Sequence, residues 1–268
     1  MFVTGDYASH TDLDEIRFLT KEKLLALTSF GHIELYDIKD MSMSPQLQAR
    51  FVLPDSVSQF RYPSDFHSAS TCARITTTDE RWIWTTNPAD RVISVVTSDK
   101  TNLIISARIF FMDIPSTWFD ATSVDGRSVP WLLWGPQYSR SFPRKTLAFG
   151  IGGSRVIWAV PIPNSKTDKL FRLHMTDFNP ITVARGIGKV FRGPTLFKSS
   201  RGSPTVTTCL PYVEVVNQRI FKASVCKIVL NEDKLVVYTK KYEFGDVSIF
   251  PSIGIMNFAL TISLDRML

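Results

Sequence analysis

Cysteine is scarce in this chain of 268 residues, and the three present, Cys72, Cys209 and Cys226, are far apart and odd in number. No C-x-x-C pair or Cys/His ligand spacing accompanies them, which excludes a disulfide framework and any recognisable zinc site. They read as reduced small hydrophobes in a cytoplasmic or nuclear protein. Long apolar runs are missing too. The longest near the C-terminus, Ile253 to Ile262, falls short of the ~20 residues a helix needs to cross a bilayer. The stretch from Met1 to Glu15 is polar and acidic, without the basic and apolar regions of a signal peptide. A soluble intracellular protein with no membrane attachment is expected.

Catalytic signatures are equally thin. The four histidines, His10, His32, His67 and His174, have no paired spacing, and no serine sits in a G-x-S-x-G elbow. Gly150-Ile151-Gly152-Gly153-Ser154 departs from a dinucleotide fingerprint, because Arg155 stands where the third glycine belongs and a strand follows. It reads as a tight turn. The carboxylates that a glycosidase would pair (Asp12, Asp14, Glu15, Asp79, Glu80, Glu232 and Asp233) fall mostly in turn-like sequence. No 3.6-residue apolar pattern survives beyond two turns, and the best helical segment, Ile114 to Ala121, is short. No enzyme activity and no cofactor are expected.

What the chain does have is β-structure. Glu15–Leu19, Lys23–Leu27, His32–Ile38 and Gln48–Leu53 are short runs closed by turn signals, and together they predict a four-stranded meander. Within the third run, Ile33 and Leu35 share one face, and His32, Glu34 and Tyr36 the other. The middle pair of runs recurs three times, at Asp90–Ser106, Ser154–Leu173 and Asp233–Phe250, each copy opening on a basic residue just after a turn. The starts at Lys23, Arg91, Arg155 and Lys234 are spaced by 91 − 23 = 68, 155 − 91 = 64 and 234 − 155 = 79 residues. Since a regular WD repeat takes roughly 40–45 residues, long insertions or further blades must lie between the copies. Other strand candidates are 81–85, 107–112, 131–134, 145–149 and 205–210. The fold class expected is all-β, a partial or irregular β-propeller of WD-like four-stranded meanders, with residues 1–14 a flexible lead-in and 15–268 a single domain.

Charge is uneven. From Arg127 to Arg201 thirteen Lys/Arg face two acidic residues, so this stretch carries 13 − 2 = +11 and the remainder of the +6 chain carries 6 − 11 = −5. The cations are scattered singly, which favours a solvated, loop-rich face over a nucleic-acid site. Trp131-Leu132-Leu133-Trp134-Gly135-Pro136-Gln137-Tyr138-Ser139-Arg140 is the most unusual local sequence. The tryptophans read as core, while Tyr138 and Arg140 are of the types that anchor interfaces and are the candidate partner-binding residues.

The segment Trp134-Gly135-Pro136-Gln137-Tyr138-Ser139-Arg140 resembles a W-G-P-x-x-[ST]-R element in the C-terminal region of the F-box proteins of mushroom-forming fungi. Gly153–Ile157, Asp177-Phe178-Asn179-Pro180, Leu210-Pro211-Tyr212 and Asn231–Val236 agree with that family in order, as do Leu24–Leu27 and Leu35-Tyr36-Asp37. The resemblance spans most of residues 15–250. It implies a substrate-recruiting propeller whose N-terminal F-box docks to a cullin-type ubiquitin ligase. No F-box precedes Glu15 here, so a link to the ligase is expected only with an F-box upstream. The function expected is a non-enzymatic module for an unidentified protein partner. The alternative is a propeller-type carbohydrate-active hydrolase or lectin.

Overall fold

A computed structural model describes residues 13–28, 31–40, 42–54, 57–61, 87–97, 101–123, 125–143, 148–162, 170–186, 188–197, 205–222, 224–230, 234–243 and 254–263. In chain order, β1 (Leu13–Phe18), β2 (Lys23–Thr28), β3 (His32–Asp37) and β4 (Gln46–Val52) are followed by β5 (Val57–Arg61), β6 (Val92–Thr97) and β7 (Thr101–Ser106). Then come β8 (Ser128–Val129), helix α1 (Trp131–Tyr138), β9 (Ser139–Pro143), β10 (Ala148–Gly152), β11 (Arg155–Pro161) and β12 (Leu170–Asp177). Helix α2 (Pro180–Arg185), β13 (Lys189–Phe191), β14 (Thr195–Phe197) and β15 (Val206–Thr208) form the next connection. The last elements are β16 (Tyr212–Val216), β17 (Phe221–Lys222), β18 (Ser224–Leu230), β19 (Lys234–Glu243) and β20 (Gly254–Ser263).

These strands make an all-β fold of five open sheets. The first is the meander β1-β2-β3-β4 with β8 added parallel to β4. The second is β5-β6-β7-β9, and the third is β10-β11-β12-β16-β13 with β17 beside β12. The fourth is β18-β19-β20, and β14-β15 stand as a separate pair. The expected meander is present, although β1 starts at Leu13, inside the stretch read as a lead-in. Each recurring start is the head of the second strand of a sheet: Lys23 in β2, Arg91 before β6, Arg155 in β11 and Lys234 in β19. Two of the wide spacings are accounted for by long connections, residues 107–138 between β7 and β9 and residues 178–211 between β12 and β16.

Several elements differ from expectation. Residues 107–110 form a 3-10 turn instead of a strand, and the Ile114–Ala121 helix reduces to a 3-10 turn at Ser116–Trp118. β19 pairs with β18 on one side and β20 on the other, and the strand expected over 244–250 lies outside the described residues. The candidate strand at 81–85 also lies outside them.

The buried residues show how the sheets face one another. Leu25, Leu27, Ile33, Leu35 and Phe51 of the first sheet pack against Ile93, Val95, Leu103 and Ile105 of the second. From the opposite face of that second sheet, Val92, Val96 and Ile104 meet Phe149, Ile151, Val156 and Trp158 of the third. The third in turn presents Ile157, Ala159, Leu173 and Met175 to Ile228, Leu230, Leu235 and Val237 of the fourth. Alternation along each strand sends neighbours to opposite faces, so a strand with sheets on both sides must be apolar throughout. That is why β6 and β7 are buried at every position. Each fully buried Leu, Ile or Phe contributes roughly 1.5–3 kcal/mol. The Gly150–Ser154 stretch is the end of β10 plus a tight turn at Gly153, whose φ is 55°.

One polar pair interrupts the layer between the second and third sheets. Ser94 lies opposite Ile104 and Asn102 opposite Val96, so both project on the face toward the third sheet. Both are wholly buried, and neither the Ser94 hydroxyl nor either end of the Asn102 amide finds a partner. An unpaired buried amide costs about 1–3 kcal/mol. Asn102→Val is therefore expected to raise the urea midpoint, by roughly 1–2 kcal/mol of stability. A loss of stability instead would mean that buried water holds the amide.

Candidate interaction surface

Helix α1 forms because Trp131, Trp134, Gly135 and Tyr138 recur at i, i+3, i+4 and i+7, the period of one helical face. Pro130 precedes the first turn, and Pro136, lacking an N–H, allows little extension beyond it. The strand expected over 131–134 is thus a helix. Trp134 is wholly buried, its ring 5.0 Å from that of Trp131 and 5.3 Å from that of Phe51, in edge-on contacts. Gly135 is required by contact, since a Cβ there would lie 2.2 Å from the Trp131 indole. The tryptophans are core, as read.

With that face committed, α1 turns its other residues outward. Leu132 is 83% exposed and Leu133 42%. Gln137 is exposed beside them. Sequence reasoning passed over these leucines because they sat between two tryptophans in what looked like a strand. The helical period was the signal that would have separated them.

The two candidate partner-binding residues part company. Tyr138 is half-buried and packs on the core between the first two sheets. Arg140, on β9, is only 2% exposed. Its Nη1 donates to the Gly193 carbonyl at 2.6 Å, to Thr195 Oγ1 at 3.1 Å and to the Thr208 carbonyl at 3.2 Å. The guanidinium thus pins the β14-β15 pair to the second sheet, helped by Thr208 Oγ1, which accepts from the Ser141 N–H at 3.1 Å. Arg140 also lies 5.0 Å from the Tyr212 ring centre. Burial pulls its pKa below the usual guanidinium value, and burial pushes the Tyr212 phenol up. Phe191 stacks on Tyr212 at 4.8 Å, and Lys189 Nζ sits 4.7 Å over Phe191. A stack therefore runs from the buried Arg140 to the exposed Lys189. Arg140 faces inward and is a brace within the fold.

The acidic groups are also engaged in structure. Glu34, almost wholly buried on β3, accepts from Arg50 Nε at 2.8 Å and from the Tyr36 hydroxyl at 2.6 Å, while Arg50 Nη1 reaches Asp125 at 2.6 Å. Asp177 accepts from the Ser154 hydroxyl at 2.8 Å and from Arg155 Nε at 3.1 Å, closing the turn beside β11. Asp40 and Asp120 cap turns, with their pKa values lowered by hydrogen bonds from Ser42 and Thr122. Of the carboxylates weighed for glycoside chemistry, Asp14 and Glu15 lie on β1, with Glu15 ion-paired to Arg17. Asp12, Asp79, Glu80, Glu232 and Asp233 are outside the described residues, as are His10 and His67. His32 is half-buried on β3, and His174 Nδ1 lies 3.3 Å from Glu214 Oε1.

Among the described residues no three His, Cys, Asp or Glu converge as a metal site would require. Nor is any helix among them long and apolar enough to cross a membrane. Neither a scan of protein-family models nor a search of curated proteins returns a significant match. The surface must speak for itself. Its described apolar feature with the highest exposure is Leu132, carried with Leu133 on a helix whose opposite face is locked into the core.

Proposed function

We propose that this chain is a non-enzymatic protein-interaction module, an irregular β-propeller resembling the substrate-recruiting part of fungal F-box adaptors. The observation that carries the interaction reading is the outer face of α1. An exposed Leu132-Leu133 pair on a helix fixed by Trp131 and Trp134 presents apolar area without the entropic cost of ordering a loop. The propeller reading is supported by four sheets meeting face to face in chain order, three of them containing a four-stranded antiparallel path. Docking to a cullin-type ligase belongs to this reading only through an F-box upstream.

A photo-crosslinking residue at Leu132, compared with one at Met43, tests the module reading. Met43 is also well exposed, at 61%, but lies in the loop before β4. Discrete protein adducts are expected at 132 and not at 43. Equal or absent labelling at both positions sinks the reading. The adaptor part is tested by co-precipitation of ligase core components, with an F-box-bearing relative as the positive control.

A further inference from the structure

Between Asp177 and Glu214 the sequence has no acidic residue and five basic ones, Arg185, Lys189, Arg192, Lys198 and Arg201. The first three lie on one connected piece of structure, the last turn of α2, the start of β13 and the residue just after it. All three are exposed. Several other described arginines are paired, Arg17 with Glu15, Arg50 with Glu34 and Asp125, Arg108 with Asp90, and Arg155 with Asp177, while Arg127 and Arg219 are exposed singly, the first donating to the Gln48 carbonyl and the second lying over Phe221. Among the described residues, neither Arg185, Lys189 nor Arg192 enters an ion pair. The nearest carboxylate by register is Glu214, opposite Lys189, and it lies 3.3 Å from His174.

Two of these cations are held in place by packing. Lys189 lies over Phe191, which is itself stacked on Tyr212. Arg192 Nη2 donates to the Val183 carbonyl at 3.2 Å, which fixes its head beside the last turn of α2. Arg185 sits in that same turn, just before Gly186 closes the helix in the left-handed region at φ 68°. Part of the ordering cost of binding an anion is therefore met before any partner arrives. One turn back on the same helix face, Ile181 is 60% exposed.

We propose that this α2–β13 ridge docks an acidic peptide segment, its carboxylates on Arg185, Lys189 and Arg192 and one large apolar side chain on Ile181. Nucleic acid fits less well. Stacking a base needs an open aromatic face, and the Phe191 ring already has Tyr212 and Lys189 against it. The exposed isoleucine likewise suits a peptide more than a phosphate backbone. This inference rests on the interaction-module reading and names its partner class at a second surface, away from the crosslinking position on α1.

The test is fluorescence anisotropy with a labelled peptide of glutamates and aspartates around a single leucine, alongside a lysine-for-acid version and a single-stranded oligonucleotide. Saturable binding of the acidic peptide is expected, weakening as salt is added. Arg185→Gln/Lys189→Gln should weaken it by at least ~10-fold while the far-ultraviolet circular dichroism and a cooperative unfolding transition are kept, since neutral side chains avoid a like-charge pair with Glu214 and forfeit only the Lys189–Phe191 contact. Ile181→Ala should weaken it less, by roughly 3-fold or more. Equal affinity in the double variant, no binding, or tighter binding of the oligonucleotide each overturns the proposal. Adducts at position 132 combined with no peptide binding would remove the ridge alone. Failure of both experiments would remove the module reading with it.

Discussion

Arg140→Ala is expected to cost about 2–4 kcal/mol of folding stability, lowering the thermal midpoint by roughly 5–15 °C. The side chain is buried, and its Nη1 serves three oxygens, two of them main-chain carbonyls at Gly193 and Thr208. Hydrogen bonds to a charged group are worth about 1.5–3 kcal/mol each, but they do not add, and removing a buried cation relieves its own desolvation. Truncation also strips packing from Tyr212. Arg140→Lys should recover only part, since the shorter side chain brings its ammonium less close to the position from which Nη1 serves all three oxygens. Differential scanning calorimetry measures both variants. An unchanged midpoint would show that the guanidinium does not brace the β14-β15 pair.

Gly152→Ala should destabilise by about 1–3 kcal/mol, although alanine elsewhere in a chain is often the better residue. A Cβ at this position would lie 2.7 Å from the Leu230 carbonyl oxygen and 2.8 Å from Leu230 Cγ. The first of these is main chain, so β18 itself must move away from β10. Trimming the neighbour in Gly152→Ala/Leu230→Ala removes the Cγ contact but leaves the carbonyl, so it should bring less recovery than the matching pair at Gly150. At Gly150 the first obstacle is instead a methyl of Ile228, at 2.6 Å. Gly150→Ala should consequently gain partial relief from Ile228→Ala. Chemical denaturation of the two pairs separates them, and relief at Gly152 equal to that at Gly150 would contradict the main-chain contact.

The sequence disclosed the repeating unit because its physics is local. A turn, a basic residue and a β-branched or leucine run define β2, β6, β11 and β19 without reference to anything distant. Pairing across long distances was less visible. β20, with Asn257 and Thr261 among its apolar residues, carries no clean alternation, and its role emerges only against β19. Helix α1 was hidden for a different reason. Four apolar residues with a tryptophan at each end, Trp131-Leu132-Leu133-Trp134, are too short and too uniformly apolar to fix a period, and only the face extended through Gly135 to Tyr138 decides for the helix. Arg140 shows the limit of residue-type reasoning. Arginine is ordinarily exposed, and what draws this one inward is a pair of strands some fifty-five to sixty-eight residues away.

Two of the connections reach backward along the chain. Residues between β7 and β9 lend β8 to the first sheet, and those between β12 and β16 bring β14-β15 to Arg140 on the second. Each of these earlier sheets is therefore finished by polypeptide that belongs to its successor. On the ribosome, the first sheet must wait for Ser128 and Val129, and the second for Thr208. For these two sheets completion is thereby vectorial, the later sheet latching the earlier one.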